Sequence, residues 1–259
     1  MIGEEEFVDL SELYGLLKKE RGLIMEVNQV DLVLVPLGLG VLLVYHIWLL
    51  WTIRRSPRRT AIGLNAESRH KWVVCLMSDP LKNGVLAIQT IRNNIMASTL
   101  LATTAITLSS LISVYVSNKS SSVSSLESVN KISIMSSSVK FFSILVCFLV
   151  AFLCNLQCIR YYAHTSFLVT VPAFQHRKDA IKYVATNLNR GGFFWSLGLR
   201  AFYLSFPLFL WVFGPVPMFV CCCVMSFVLY FLDTTTDFTR GLYNYSTDED
   251  IESDVVGPT

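Results

Sequence analysis

The sequence predicts an all-α protein: a polytopic transmembrane helical bundle of five spans, or four, with two of its helices extending into the cytoplasm. Three observations carry that prediction. Hydrophobic residues make up 53% of the 259 and charged residues only 15%, whereas about a quarter of a soluble domain is charged. The apolar residues fall in blocks long enough to cross a hydrocarbon core, which takes roughly 17 to 25 helical residues. Lys and Arg lie between those blocks and are unevenly shared among the connecting segments.

The first block, 32–53, holds no carboxylate, lysine or arginine, and Trp48 and Trp51 near its end suit a membrane–water boundary. The first thirty residues show no basic start followed by an apolar run, so this block is expected to act as its own insertion signal. The second block, 95–116, is rich in Ser and Thr, and the third is 141–159. A fourth stretch, 193–232, would reach about 60 Å as one straight helix at ~1.5 Å per residue, twice the hydrocarbon thickness. The breaker "GPVP" at 214–217 predicts a hairpin of two spans, 193–213 and 216–232. A single kinked helix, giving four spans, is the alternative.

Charge sets the orientation. Segment 54–92 carries eight Lys and Arg and 160–192 carries five, while the N-terminal arm and 117–140 carry three each. Basic loops face the cytoplasm. That places the acidic arm 1–31 outside, followed by the transmembrane domain 32–232 and an acidic tail 233–259 expected to be disordered. The serine-rich stretch 117–138 reads as an external loop with an N-x-S acceptor pattern at Asn118. The net charge of +2 gives no reason to expect nucleic acid. The seven cysteines lack disulfide or metal spacing and read as packing residues.

In the first basic segment "SDPLKN" is a helix start, with Asp79 as N-cap and Pro80 at the first helical position. Val73, Met77, Leu81, Val85, Ile88 and Ile91 recur at helical spacing. The second span is therefore predicted to continue into the cytoplasm as an amphipathic helix. The third does likewise, up to the stop at Pro172.

The segments "YHIWLLW" (45–51), "TAIGLNAESRHKWV" (60–73), "AIQTIRNNIMASTLLATTAI" (87–106) and "LRAFYLSFPLFLWVFGP" (199–215) are similar to a membrane-protein family found mainly in plants, with bacterial relatives. That family is known only as a domain of unknown function, and the similarity runs over residues 25–233. The resemblance implies an integral membrane protein from a plant and brings no activity or catalytic residue. It also marks Met25 as an alternative start, and Leu199 stands where such proteins often carry Asn.

Ionisable groups within hydrocarbon are costly and point to function by default. Arg200 lies seven residues into the fourth span, about 10 Å from its cytoplasmic end at ~1.5 Å per residue. His46 lies at a comparable depth. Asn155 and Gln157 fall near the cytoplasmic end of the third span, and Arg92, Asn93 and Asn94 at the mouth of the second, followed by Ser98, Thr99 and Thr103. All lie in the inner half and come from four separate helices. They suggest a polar vestibule open to the cytoplasm that admits an anion or small polar solute. Arg92 and Arg200 would supply positive potential, His46 a titratable group, and the others neutral hydrogen bonds. Each has a plainer reading. Arg200 can snorkel to the headgroups or, if the hairpin forms, pair with Asp233. His46 can be a hydrogen-bonded histidine under an aromatic belt, Ser98, Thr99 and Thr103 can satisfy their own helix, and Arg92, beside Arg69 and Lys71, can anchor to lipid.

Two functions stay open: a channel-like or carrier protein for an anion or small polar solute, assembled as a homo-oligomer, and a non-transporting scaffold that binds partners through its cytoplasmic helices and tail. The sequence contains no H-E-x-x-H, G-x-S-x-G, phosphate loop or spaced acidic cluster. No enzyme, cofactor or metal is therefore expected. The lipid bilayer is the expected partner, in the plasma membrane or another secretory-pathway membrane.

Overall fold

A computed structural model describes the backbone of residues 10–123, 131–171, 178–236, 239 and 241, with side chains over 30–79, 82–118, 137–171, 178–236, 239 and 241. The order is α1 (Leu10–Arg55), a 3-10 turn at Pro57–Arg59, α2 (Ala61–Ser78), α3 (Pro80–Val123), α4 (Lys131–Thr170), α5 (Lys178–Trp211) and α6 (Pro215–Asp233). Among the described residues five helical stretches are long and apolar enough to cross a membrane: Val30–Arg55, Lys82–Asn118, Ser137–Thr170, Lys178–Trp211 and Pro215–Asp233. Residues 1–9, 124–130, 172–177 and most of the tail lie outside the described residues, and with them the stop expected at Pro172. The serine-rich stretch 117–138, expected as a loop, is instead helical over its described residues 117–123 and 131–138, because α3 and α4 run on past their apolar spans.

The choice between four spans and five is settled at Gly214. Its φ of 152° lies where an L side chain is strained, and α6 restarts at once with Pro215 at its first position. Arg200 and Asp233 would sit about 50 Å apart on one continuous helix, yet their side chains meet at 2.8 Å. The chain therefore folds back on itself.

The turn is held by charge from elsewhere in the bundle. Lys140 Nζ on α4 donates to the carbonyl of Trp211 at 3.2 Å, one of the last-turn carbonyls that α5 leaves without a partner of its own. The same ammonium pairs with Asp31 of α1 at 3.4 Å and lies 5.2 Å over the Trp211 ring. Trp211 Nε1 in turn donates to Asp31 at 3.4 Å.

At 19 residues, α6 covers about 28 Å, close to the hydrocarbon thickness. With 44 and 40 residues, α3 and α4 cover about 66 and 60 Å. Part of that excess lies at the end where Arg55 leaves α1. There the first half of α3, the last turns of α4, the first half of α5 and the whole of α2 close around Val73, Met77, Ile91, Tyr162, Val184 and Leu188. The basic segments are thus a packed head of four helical pieces rather than loops. Residues 178–192 join it because no breaker precedes Gly191 and Asp179 lies in the favoured first turn. A second cluster, around Val35, Ala105, Ile144, Ala151, Met218 and Cys222, forms the bundle core.

The helical spacing expected from Val73 through Ile91 is broken at the α2–α3 junction. Asp79 Oδ1 accepts the Lys82 N–H at 3.3 Å and starts α3 with a new phase. Val73 and Met77 are buried on α2 and Ile91 on α3, whereas Val85 and Ile88 are exposed.

Candidate functional site

The hairpin brings the ends of α1, α5 and α6 together. Arg200 Nη2 donates to both oxygens of Asp233, at 2.9 and 2.8 Å, and the Tyr45 hydroxyl donates to Asp233 Oδ2. The Arg200 and Asp233 side chains are only 14% and 11% exposed. A carboxylate in the last turn of a helix faces the negative end of the macrodipole, so Asp233 is tolerable there because a guanidinium and a phenol converge on it. Of the two plainer readings of Arg200, the pairing with Asp233 that the hairpin would allow is the one present. Its Nη1 is buried without a hydrogen-bond partner.

Beside this triad, where the head meets the bundle, is a cavity of about 470 Å³. Helix α2 contributes Asn65 and Arg69, α3 contributes Asn94, α5 contributes Ser196 and Arg200, and α6 contributes Asp233. Tyr162 and Trp195 add aromatic walls. Arg69 is fixed by its Nε, which donates to Asn189 Oδ1 at 2.8 Å. Asn189 is held in turn by donating to the Ala66 carbonyl at 3.2 Å. Gly192 makes room for the guanidinium, since a Cβ there would lie 2.7 Å from its central carbon. Burial pulls the Arg69 pKa below the ordinary arginine value. Among the described residues no carboxylate pairs with it. The cavity wall thus carries two guanidinium groups against one carboxylate.

The residues singled out in the sequence divide among several environments. Asn94 and Arg200 line this cavity. His46 and Arg200 border a separate apolar groove of about 360 Å³ with Leu39, Leu43, Val150 and Leu204. The His46 ring donates from Nδ1 to the Leu42 carbonyl at 2.7 Å. Ser98 is buried against the Cys158 thiol at 3.2 Å. Asn155 is buried, donating to the Ala151 carbonyl at 2.8 Å with Oδ1 unpartnered, and Gly198 packs directly on it. Gln157 is half-buried on α4, while Arg92 and Asn93 are exposed on α3. Thr99 and Thr103 are also exposed, and their hydroxyls return to the carbonyls of Ile95 and Leu100 at 2.9 Å. The structure therefore does not gather all these residues into one vestibule. Tyr45, Asn65, Arg69 and Ser196 belong to the junction instead. Asn65 and Arg69, four residues apart on one helix face, were a readable signal within "LNAESR".

Five apolar spans with a polar junction at one end define a multi-pass integral membrane protein. The chain belongs to the family described as a protein of unknown function, DUF599, whose family model matches residues 33–238. That range includes the whole triad and cavity. No curated protein and no solved structure matches the chain.

Proposed function

We propose that the protein binds a small anion, or the anionic group of a polar solute, in the cavity between head and bundle, and carries it as a channel-like or carrier protein. The observation that supports this most directly is Arg69: a guanidinium partly removed from water, fixed in direction by Asn189 and lacking an acidic partner among the described residues. Holding such a charge is unfavourable, and an anion against it would offset the cost. Asn65, Asn94 and Ser196 supply neutral hydrogen bonds around the same space. Arg200, already neutralised by Asp233, adds field and one donor still without a partner. Binding rather than covalent chemistry is the role we assign to these residues.

An oligomer is not required by this reading. The outward hydroxyls of Thr99, Thr103, Thr104, Thr107 and Ser110 each return to a carbonyl of their own helix, so they can face lipid without loss.

The test is a thermal-shift and calorimetric titration of the purified full chain with phosphate, sulfate, chloride and a dicarboxylate, followed by flux in proteoliposomes. At least one anion should raise the unfolding temperature, and Arg69→Gln should remove that rise while leaving the unliganded protein folded. If no anion binds, the reading fails. Binding without flux removes the carrier half.

The scaffold reading has one observation in its favour: Val85, Leu86 and Ile88 stand exposed on the head portion of α3. It would gain if Leu86→Ser abolished a protein contact without changing anion binding.

A further inference from the structure

A second basic pocket, of about 430 Å³, lies between α1 and α6 near their head ends and is lined by none of the residues that form the Arg69 cavity. Its floor is aromatic. Trp48 packs against Tyr230 with ring centres 5.4 Å apart, and the Arg55 guanidinium lies 5.5 Å over the Trp51 ring. The rim carries Arg55 and Arg59 with the hydroxyls of Ser56 and Thr234.

The frame around the pocket is tied down. Thr235 donates its N–H to the Arg59 carbonyl at 3.2 Å and its hydroxyl to the Arg58 carbonyl at 2.9 Å, and Thr60 bridges to Thr234. Arg58 is engaged with Glu67 at 3.0 Å. Neither Arg55 nor Arg59 has a carboxylate partner among the described residues. Farther along the helices from the pocket, toward the bundle, α1 and α6 carry exposed apolar residues beside it, Val44 and Ile47 on α1 and Phe227 on α6. The pocket is therefore the polar end of an apolar outer surface.

We propose that this pocket holds the headgroup of an anionic glycerophospholipid, with its phosphate against Arg55 and Arg59 and its acyl chains lying along the apolar outer surface of α1 and α6. Guanidinium groups match phosphate oxygens in a forked geometry. Trp residues at this depth suit the headgroup boundary, and anionic lipid is drawn to basic residues just beyond a span. A zwitterionic lipid brings its own cation to two guanidinium groups that lack acidic partners, so net negative charge is favoured. The apolar surface beside the pocket selects a lipid over a free phosphate.

Native mass spectrometry of the purified full chain, titrated with phosphatidylglycerol and phosphatidylcholine of equal chain length, tests the assignment. Phosphatidylglycerol should be retained at concentrations about thirtyfold lower than phosphatidylcholine, the scale expected for two basic contacts near a membrane surface. Arg55→Gln/Arg59→Gln should abolish that preference, whereas Arg54→Gln, outside the pocket, and Arg69→Gln should retain it. Equal retention of the two lipids by the unaltered protein overturns the proposal and needs no variant. An unchanged preference in the folded double variant also overturns it, as does a loss caused by Arg69→Gln alone. Displacement of phosphatidylglycerol by soluble glycerophosphate at comparable concentration overturns the commitment to a lipid.

Discussion

Arg200 and Asp233 are joined across the α5–α6 hairpin by two hydrogen bonds from one guanidinium nitrogen, with both side chains nearly withdrawn from water. This contact closes the last two spans on the head side, and the Tyr45 hydroxyl links α1 to the same carboxylate. Removing one partner of a buried ion pair leaves an uncompensated charge, at a cost of about 3–5 kcal/mol. Arg200→Met and Asp233→Ala should each lower stability on that scale, and Arg200→Met/Asp233→Ala by clearly less than their sum. A double-mutant cycle from unfolding in detergent measures the coupling. Additive losses would show that the two charges act separately.

Two adjacent glycines should behave differently. A Cβ at Gly191 would lie 2.8 Å from the ring of Tyr162, which is buried in the head core. A ring packed on all sides does not yield easily, so Gly191→Ala should destabilise by about 1–3 kcal/mol. A Cβ at Gly192 instead meets the far end of Arg69 at 2.7 Å, and a long side chain can swing aside. Gly192→Ala should leave thermal stability nearly unchanged while weakening anion binding, because the guanidinium is displaced from Asn189. Parallel thermal-shift and calorimetric measurements separate the two outcomes.

The bundle was legible in the sequence because bilayer thickness fixes span length, and "GPVP" marked where the forty-residue apolar stretch had to turn. The head was harder to read. Its helices mix buried and exposed positions, and the break at Asp79–Pro80 resets the phase, so Val85 continued the apolar spacing on paper yet faces outward. Depth along each span was also readable, but direction around the helix was not. Thr99 and Thr103 share the depth of the polar group, yet both face away from it. Arg69 is not legible for a related reason. It stands among basic residues expected to meet lipid, and only the docking of α2 against α5 turns it toward a cavity.

The far end of the bundle depends on a second charged contact. Lys140 pairs with Asp31 and also supplies a donor to the Trp211 carbonyl, with both charged side chains mostly buried. Lys140→Met would leave the carboxylate unpaired and the carbonyl unsatisfied, for a loss of about 1–3 kcal/mol. Asp31→Asn should cost less, since the ammonium keeps its bond to Trp211 and its position over the indole. Unfolding in detergent should rank the two variants in that order. The reverse order would place the main contribution in the Asp31 side chain rather than in capping of α5.

Cys75 offers a direct probe of orientation. It is exposed on α2, in the head, while the other six cysteines sit on the long apolar helices α4 and α6. A membrane-impermeant maleimide should therefore modify Cys75 first. The Lys and Arg of the head predict a cytoplasmic face; intact cells should then show no labelling at this position, and cells in which the plasma membrane alone is permeabilised should show rapid labelling that Cys75→Ser removes. Labelling of intact cells at Cys75 would invert the orientation and place the Arg69 cavity toward the exterior. The solute would then have to be supplied from outside, so this measurement decides from which compartment an anion must be offered in any flux experiment.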